Sequence, residues 1–98
     1  MHFKLDHIGL VVEKIDDLKK IMKVLNPDTI TEPLADPIQK VAASFVGVDD
    51  AQGVYIELLE PTASDSPVNN FLKKRGGGLH HLCFEVDDID KAAAMLTD

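Results

Sequence analysis

With 98 residues and 45% hydrophobic content, the chain can bury one small core and no more. Its 17 acidic residues against 10 Lys and Arg give a formal charge of −7, which repels nucleic-acid phosphates and anionic head groups and sets aside nucleic-acid and membrane partners. No apolar run approaches the length of a bilayer span, and MHFKLDHIGLVVEK lacks a signal-peptide pattern, so the expectation is a cytoplasmic protein. A single cysteine, Cys83, fits a reducing compartment.

Leu5 to Val12 alternates as a strand, with Ile8, Leu10 and Val12 on one face and His7, Gly9 and Val11 on the other. An amphipathic helix follows, capped by Asp16 or Asp17 and carried by Ile15, Leu18, Ile21, Met22 and Leu25, until Asn26-Pro27 stops it. Thr29 to Glu32 is a short β-prone segment ended by Pro33. Lys40 to Val48 and Val54 to Glu60 read as a hairpin around Asp49, Asp50 and Gly53. Ser66 as cap and Pro67 at the first position open a helix that buries Val68, Phe71 and Leu72 and ends at Gly76. The three glycines 76 to 78 also suit a phosphate loop, but no Lys-Ser pair follows and a helix C-cap accounts for the first of them. Leu79 to Val86 is a further strand, and a second amphipathic helix from Asp88 is still running at Asp98, which implies a natural product longer than this chain.

LDHIGLVVEKID at Leu5 to Asp16 reappears as LHHLCFEVDDID at Leu79 to Asp90, matching Leu5 to Leu79, His7 to His81, Val12 to Val86, Ile15 to Ile89 and Asp16 to Asp90 at one constant offset. A strand-helix unit thus occurs twice, and two copies packed about a pseudo-twofold axis would bring His7 and His81 to one cleft. His80 aligns with Asp6, and alternation sends it to the opposite side of its strand. Glu57 is a carboxylate in the middle of the otherwise apolar strand VYIELLEP, on the face of Tyr55 and Leu59, where it needs a partner, a proton or a metal. Singly, each of these residues reads as an ordinary core histidine or a solvated strand glutamate. Together with the repeat, His7, Glu57 and His81 form a ligand set for a divalent metal, with Co, Mn, Ni, Zn, Fe and Mg all compatible. Cys83, on the His81 face, is read as a small buried strand residue rather than a ligand.

LDHIGLVV, DPIQKVAASF and IELLEPTASDSPVNNFLKKRGGGLHHLCFEVDDID resemble the vicinal oxygen chelate superfamily of glyoxalases, bleomycin resistance proteins and dioxygenases, and within it the methylmalonyl-CoA epimerases. The resemblance implies an α+β fold of paired βαβββ modules, here a single domain over 1–98. The first module spans about 3–60, a connecting helix about 66–75, and the second, incomplete module about 79–98. It also implies metal binding at His7, Glu57 and His81, a likeness that leaves the fourth ligand, a Glu on the last strand of the second module, outside these residues. The family's epimerases carry a Glu before a Gln where Ile38 precedes Gln39, so no catalytic base is assigned. The implied function is an isomerase, epimerase or lyase acting on a small acid or an acyl-CoA through a metal-stabilised enolate. A non-catalytic small-molecule-binding module of the bleomycin-resistance kind is the alternative. Lys73, Lys74 and Arg75 suit either the phosphates of coenzyme A or the negative end of their helix. The unpaired strand of the second module implies a homodimer.

Overall fold

The computed structural model describes residues 2–25, 30–49 and 53–97. The elements run β1 (Phe3–Val11), α1 (Ile15–Leu25), β2 (Leu34–Asp36), β3 (Val41–Asp49), β4 (Val54–Pro61), α2 (Val68–Arg75), β5 (Gly78–Val86) and α3 (Ile89–Leu96). The strands form one mixed sheet in the order β2-β3-β4-β1-β5, with β1 parallel to β4 and antiparallel to β5. This is the α+β arrangement expected from the sequence, a βαβββ unit followed by a strand and helix that repeat its start. Among the described residues, no helix is long and apolar enough to cross a membrane.

Alternation gives the sheet two different faces. Leu10, Ile56, Leu58, Val46 and Ala42 meet Ile15, Leu18 and Met22 of α1 in the larger core cluster. On the opposite face Val11, Val41 and Leu59 pack with Val68, Ala43, Phe71 and Leu72, so α2 covers one end of that face only. The strip running away from α2 along β1 and β4 is left open, and it carries His7 and Glu57.

The buried stripe of α1 is Ile15, Leu18, Lys19 and Met22, the i, i+3, i+4, i+7 pattern of one helical face. Ile21 falls outside that stripe and is exposed, contrary to the sequence reading; the Leu25 side chain lies outside the described residues. Buried Lys19 reaches out to Glu32, Nζ to Oε1 2.9 Å, and the hydrogen bond from Lys19 holds the Glu32 carboxyl below its ordinary pKa of 4.5. A depressed carboxylate pKa stabilises the fold above the unfolded value and loses that contribution as pH falls through the folded one. The melting-temperature difference between the wild type and Glu32→Gln is therefore expected at neutral pH and absent once pH is taken well below 4.5.

Helix α1 is capped differently from the expectation. Asp16 and Asp17 lie inside its first turn, and Glu60 of β4, 45 residues away in sequence, accepts a hydrogen bond from the Ile15 amide at 2.7 Å. A carboxylate at this end satisfies one orphan amide and faces the positive end of the helix dipole. Glu60→Ala should cost about 1 kcal/mol, measured by urea denaturation.

Other local readings are also corrected. The short strand lies after Pro33, at Leu34–Asp36, while before it Ile30 makes only an isolated bridge to Val46; Thr29 lies outside the described residues. Pro67 itself has helical angles, φ −55 and ψ −30, and the Asn69 amide donates to the Ser66 carbonyl, while the buried Ser66 hydroxyl has no partner among the described residues and caps nothing. Gly76 closes α2 in the left-handed conformation with its amide donating to the Leu72 carbonyl. Gly77 runs so close over β1 that a Cβ would lie 2.9 Å from the Val11 carbonyl oxygen. These contacts make the glycines a structural crossing into β5. Helix α3 is capped by Asp88, whose side chain accepts from the Lys91 amide, and its C-cap is Thr97; Asp98 lies outside the described residues.

Candidate metal centre

His7 and Glu57 come from neighbouring parallel strands, with Gly9 of β1 in register with Glu57 of β4. His81 arrives on the other side of β1, directly across from Gly9. The three ligand atoms converge. His7 Nε2 is 3.2 Å from His81 Nε2 and 3.7 Å from Glu57 Oε1, and His81 Nε2 is 3.4 Å from the same oxygen. Donors ~2.1 Å from a shared ion stand roughly 3.0 to 3.4 Å apart in octahedral or tetrahedral geometry, so the spacing fits an ion with little adjustment. The side chains retain 14%, 19% and 34% exposure for His7, Glu57 and His81, enough for an ion and a small molecule to reach them.

The room for His81 is made by Gly9. A Cβ built on that residue would fall 2.1 Å from His81 Cε1 and 2.4 Å from Nδ1, far inside van der Waals contact with the imidazole ring. Sequence reading placed Gly9 on the His7 face without seeing this use, because the cross-strand partner of a glycine is set by pairing register.

Asp6 was also missed as a participant. His7 Nδ1 donates to Asp6 Oδ2 at 2.8 Å, and the Tyr55 hydroxyl donates to the same oxygen at 3.1 Å. The hydrogen bond from His7, with a smaller contribution from Tyr55, holds the Asp6 carboxyl below its ordinary pKa. An ionised carboxylate only accepts, so the proton sits on His7 Nδ1 and the Nε2 lone pair faces Glu57 and His81. Tyr55 stacks on the His7 ring with centroids 4.9 Å apart, and its own pKa is raised by burial first and by the bond to Asp6 second, which keeps it a neutral donor. Cys83 pairs across from His7 and, with Asp6 and His7, makes a second close grouping of possible donors that shares the same histidine.

The sequence register and the spatial register agree. Ile8 pairs with Leu82, its own counterpart in the repeat, while His7 pairs with Cys83 and Gly9 with His81. The pseudo-twofold axis therefore passes between Ile8 and Leu82, with the two histidines on either side of it.

Ile38 does not lie near this cluster. It sits 89% exposed in the turn between β2 and β3, where Asp36 accepts from the Ile38 and Gln39 amides. Val41 pairs with Pro61 and Phe45 with Glu57, so Ile38 lies beyond the strand end, more than roughly 13 Å along the sheet from the level of Glu57. The β3 residues that share the Glu57 face are Val41, Ala43, Phe45 and Gly47, none of them ionisable.

Comparison with known proteins follows the same lines. A profile for the glyoxalase/bleomycin resistance protein/dioxygenase superfamily matches residues 6–98. The chain is 36% identical over 94 residues to the mitochondrial methylmalonyl-CoA epimerase of Dictyostelium discoideum, covering 95% of this chain and 55% of that one. Among solved structures, a hypothetical protein from Bacillus halodurans superposes with a TM-score of 0.87 at 31% identity, over 99% of this chain and 68% of its own. A variant of Streptomyces coelicolor methylmalonyl-CoA epimerase in complex with 2-nitronate-propionyl-CoA does so with a TM-score of 0.80 at 30% identity, over 97% and 70%. The chain spans about half the length of the mitochondrial epimerases it matches.

Proposed function

The chain belongs to the glyoxalase/bleomycin resistance protein/dioxygenase superfamily, and from that footing we propose that it is a metal-dependent protein of the epimerase type that binds a small acid or acyl-CoA at His7, Glu57 and His81. The convergence of two imidazole nitrogens and one carboxylate oxygen from three strands carries this reading. A divalent ion bound there would supply Lewis acidity toward a substrate carbonyl. The residues of the chain do the rest. His7 and Glu57 hold their lone pairs toward the open strip, and Asp6 with Tyr55 keeps the His7 ring from turning. Helix α2 closes one end of the strip, and exposed Lys73, Lys74 and Arg75 in its last turn would pair with coenzyme A phosphates.

Proton transfer at the substrate α-carbon needs a base within hydrogen-bond reach, and the described side chains on the Glu57 face of β3 supply none. The expected result is metal-dependent binding of methylmalonyl-CoA with slow deuterium exchange at the α-carbon. Rapid exchange with inversion would show that a base has been overlooked, and binding unaffected by a chelator would remove the metal from the reading. The bleomycin-resistance-like alternative, a binding module without turnover, gains from the same lack of a base on β3; complete absence of exchange would select it. The free thiol of Cys83 fits a cytoplasmic setting.

Association into a homodimer belongs to the same proposal, with 79–98 as the opening of a second module. Strand β5 has one neighbour among the described residues, and Phe3, Phe84, Val86, Ala92, Met95 and Leu96 line an open apolar groove beside it. Leu79 and Leu82 are 59% and 51% exposed on the same strand. Such a surface seeks cover, and an isologous pair is the common solution. Sedimentation at micromolar concentration should give a dimer; a stable monomer would count against it.

A further inference from the structure

We infer that His80 is a positioning residue for His81, doing on β5 what Asp6 does for His7 on β1. The inference rests on the reading of His81 as a metal ligand and deepens it. Two observations carry it, one from the backbone and one from the side chains.

The pairing of β1 with β5 is interrupted twice. Between Leu5 opposite Phe84 and His7 opposite Cys83 the register skips Asp6, and between Gly9 opposite His81 and Leu10 opposite Leu79 it skips His80. Each is a bulge, where an extra residue breaks strict alternation and re-aims a side chain. Asp6 and His80 are counterparts in the repeat, so the two bulges are related by the same axis that relates His7 to His81. This is why alternation wrongly sent His80 to the far side of its strand.

The side chains follow the backbone. His80 Nδ1 lies 2.9 Å from His81 Nδ1, against 2.8 Å between Asp6 and His7. One of the two Nδ1 atoms must donate to the other. Donation by His81 leaves its Nε2 lone pair aimed at Glu57 and His7, the form a ligand requires. The His80 ring is itself steadied edge-on against Phe71 of α2, with centroids 5.1 Å apart. A chain of contacts thus runs from α2 through Phe71 and His80 to His81. The supports differ in kind, an anionic carboxylate behind His7 and an imidazole behind His81.

The test uses Co2+ as the probe, titrated calorimetrically into wild type, His80→Ala and His80→Asp, with nitrogen-15 NMR of the metal-free proteins reporting the His81 tautomer. His80→Ala should weaken Co2+ binding about tenfold and lose the preference for a proton on His81 Nδ1. His80→Asp, which restores an acceptor and copies the Asp6 arrangement, should recover both. A tautomer or an affinity unchanged in His80→Ala, or a failure of His80→Asp to recover what His80→Ala lost, overturns the proposal. If the wild type takes up no Co2+ while the tautomer still responds to His80, the positioning role stands and the ligand reading falls. His80 is exposed, so the variants are expected to fold, and thermal melts would verify it.

Discussion

Gly9→Ala is expected to lose at least about a hundredfold in metal affinity while leaving the sheet folded. The added methyl would stand 2.1 to 2.5 Å from three atoms of the His81 ring, far inside van der Waals contact. Something must move, and the ring is the easiest thing to displace, being the end of a partly exposed side chain on an edge strand. Once turned, its Nε2 no longer lies within 3.5 Å of Glu57 and His7, and an ion would keep two of three ligands. Calorimetric titration with Co2+ together with a thermal melt separates the outcomes. Loss of binding at nearly unchanged melting temperature is the expected result. Unchanged affinity would show that His81 is not a ligand, and a collapse of stability would show that the β1–β5 pairing yields before the ring does.

The second large effect is on the core. Leu58 is fully buried on the α1 side of β4, grouped with Ile15 and Val46, and its truncation opens a cavity between sheet and helix. Leu58→Ala should cost about 3 kcal/mol, the sum of lost transfer energy and an unfilled void. In a domain of this size that is a large part of the total stability. Equilibrium urea unfolding measures it, and a cost below about 1 kcal/mol would mean that the helix collapses into the gap.

Much of this molecule was legible in its sequence, and the reason is periodicity. β1, β3, β4 and β5 alternate over eight or nine residues, long enough for the pattern to outweigh local noise. The repeat did more, since it singled out His7 and His81 and implied the axis that the pairing of Ile8 with Leu82 now locates. What escaped prediction depends on contacts between distant segments. The Glu60 cap on α1 joins residues 45 apart, and no cap signature records it. The β2 strand is three residues long, too short to show a period. The bulges at Asp6 and His80 belong to a strand pair, so neither strand alone announces them. Ser66 had the composition of a cap, yet its buried hydroxyl finds no hydrogen-bond partner among the described residues.

The axis between Ile8 and Leu82 has one more consequence. A single copy of the repeated unit owns one such histidine, so a site astride the axis can exist only where two copies meet. Two identical chains meeting there would have to carry the same residue at every equivalent place. Joining the copies covalently removes that obligation, and the pair Gly9 and Cys83 shows it lifted: one side opens space for an imidazole, while the other keeps a thiol against its neighbour. The two histidines have thereby become inequivalent, one more buried and backed by a carboxylate, the other more open and backed by an imidazole. A twofold-equivalent pair has become a pocket with two unlike ends, suited to an unsymmetrical guest.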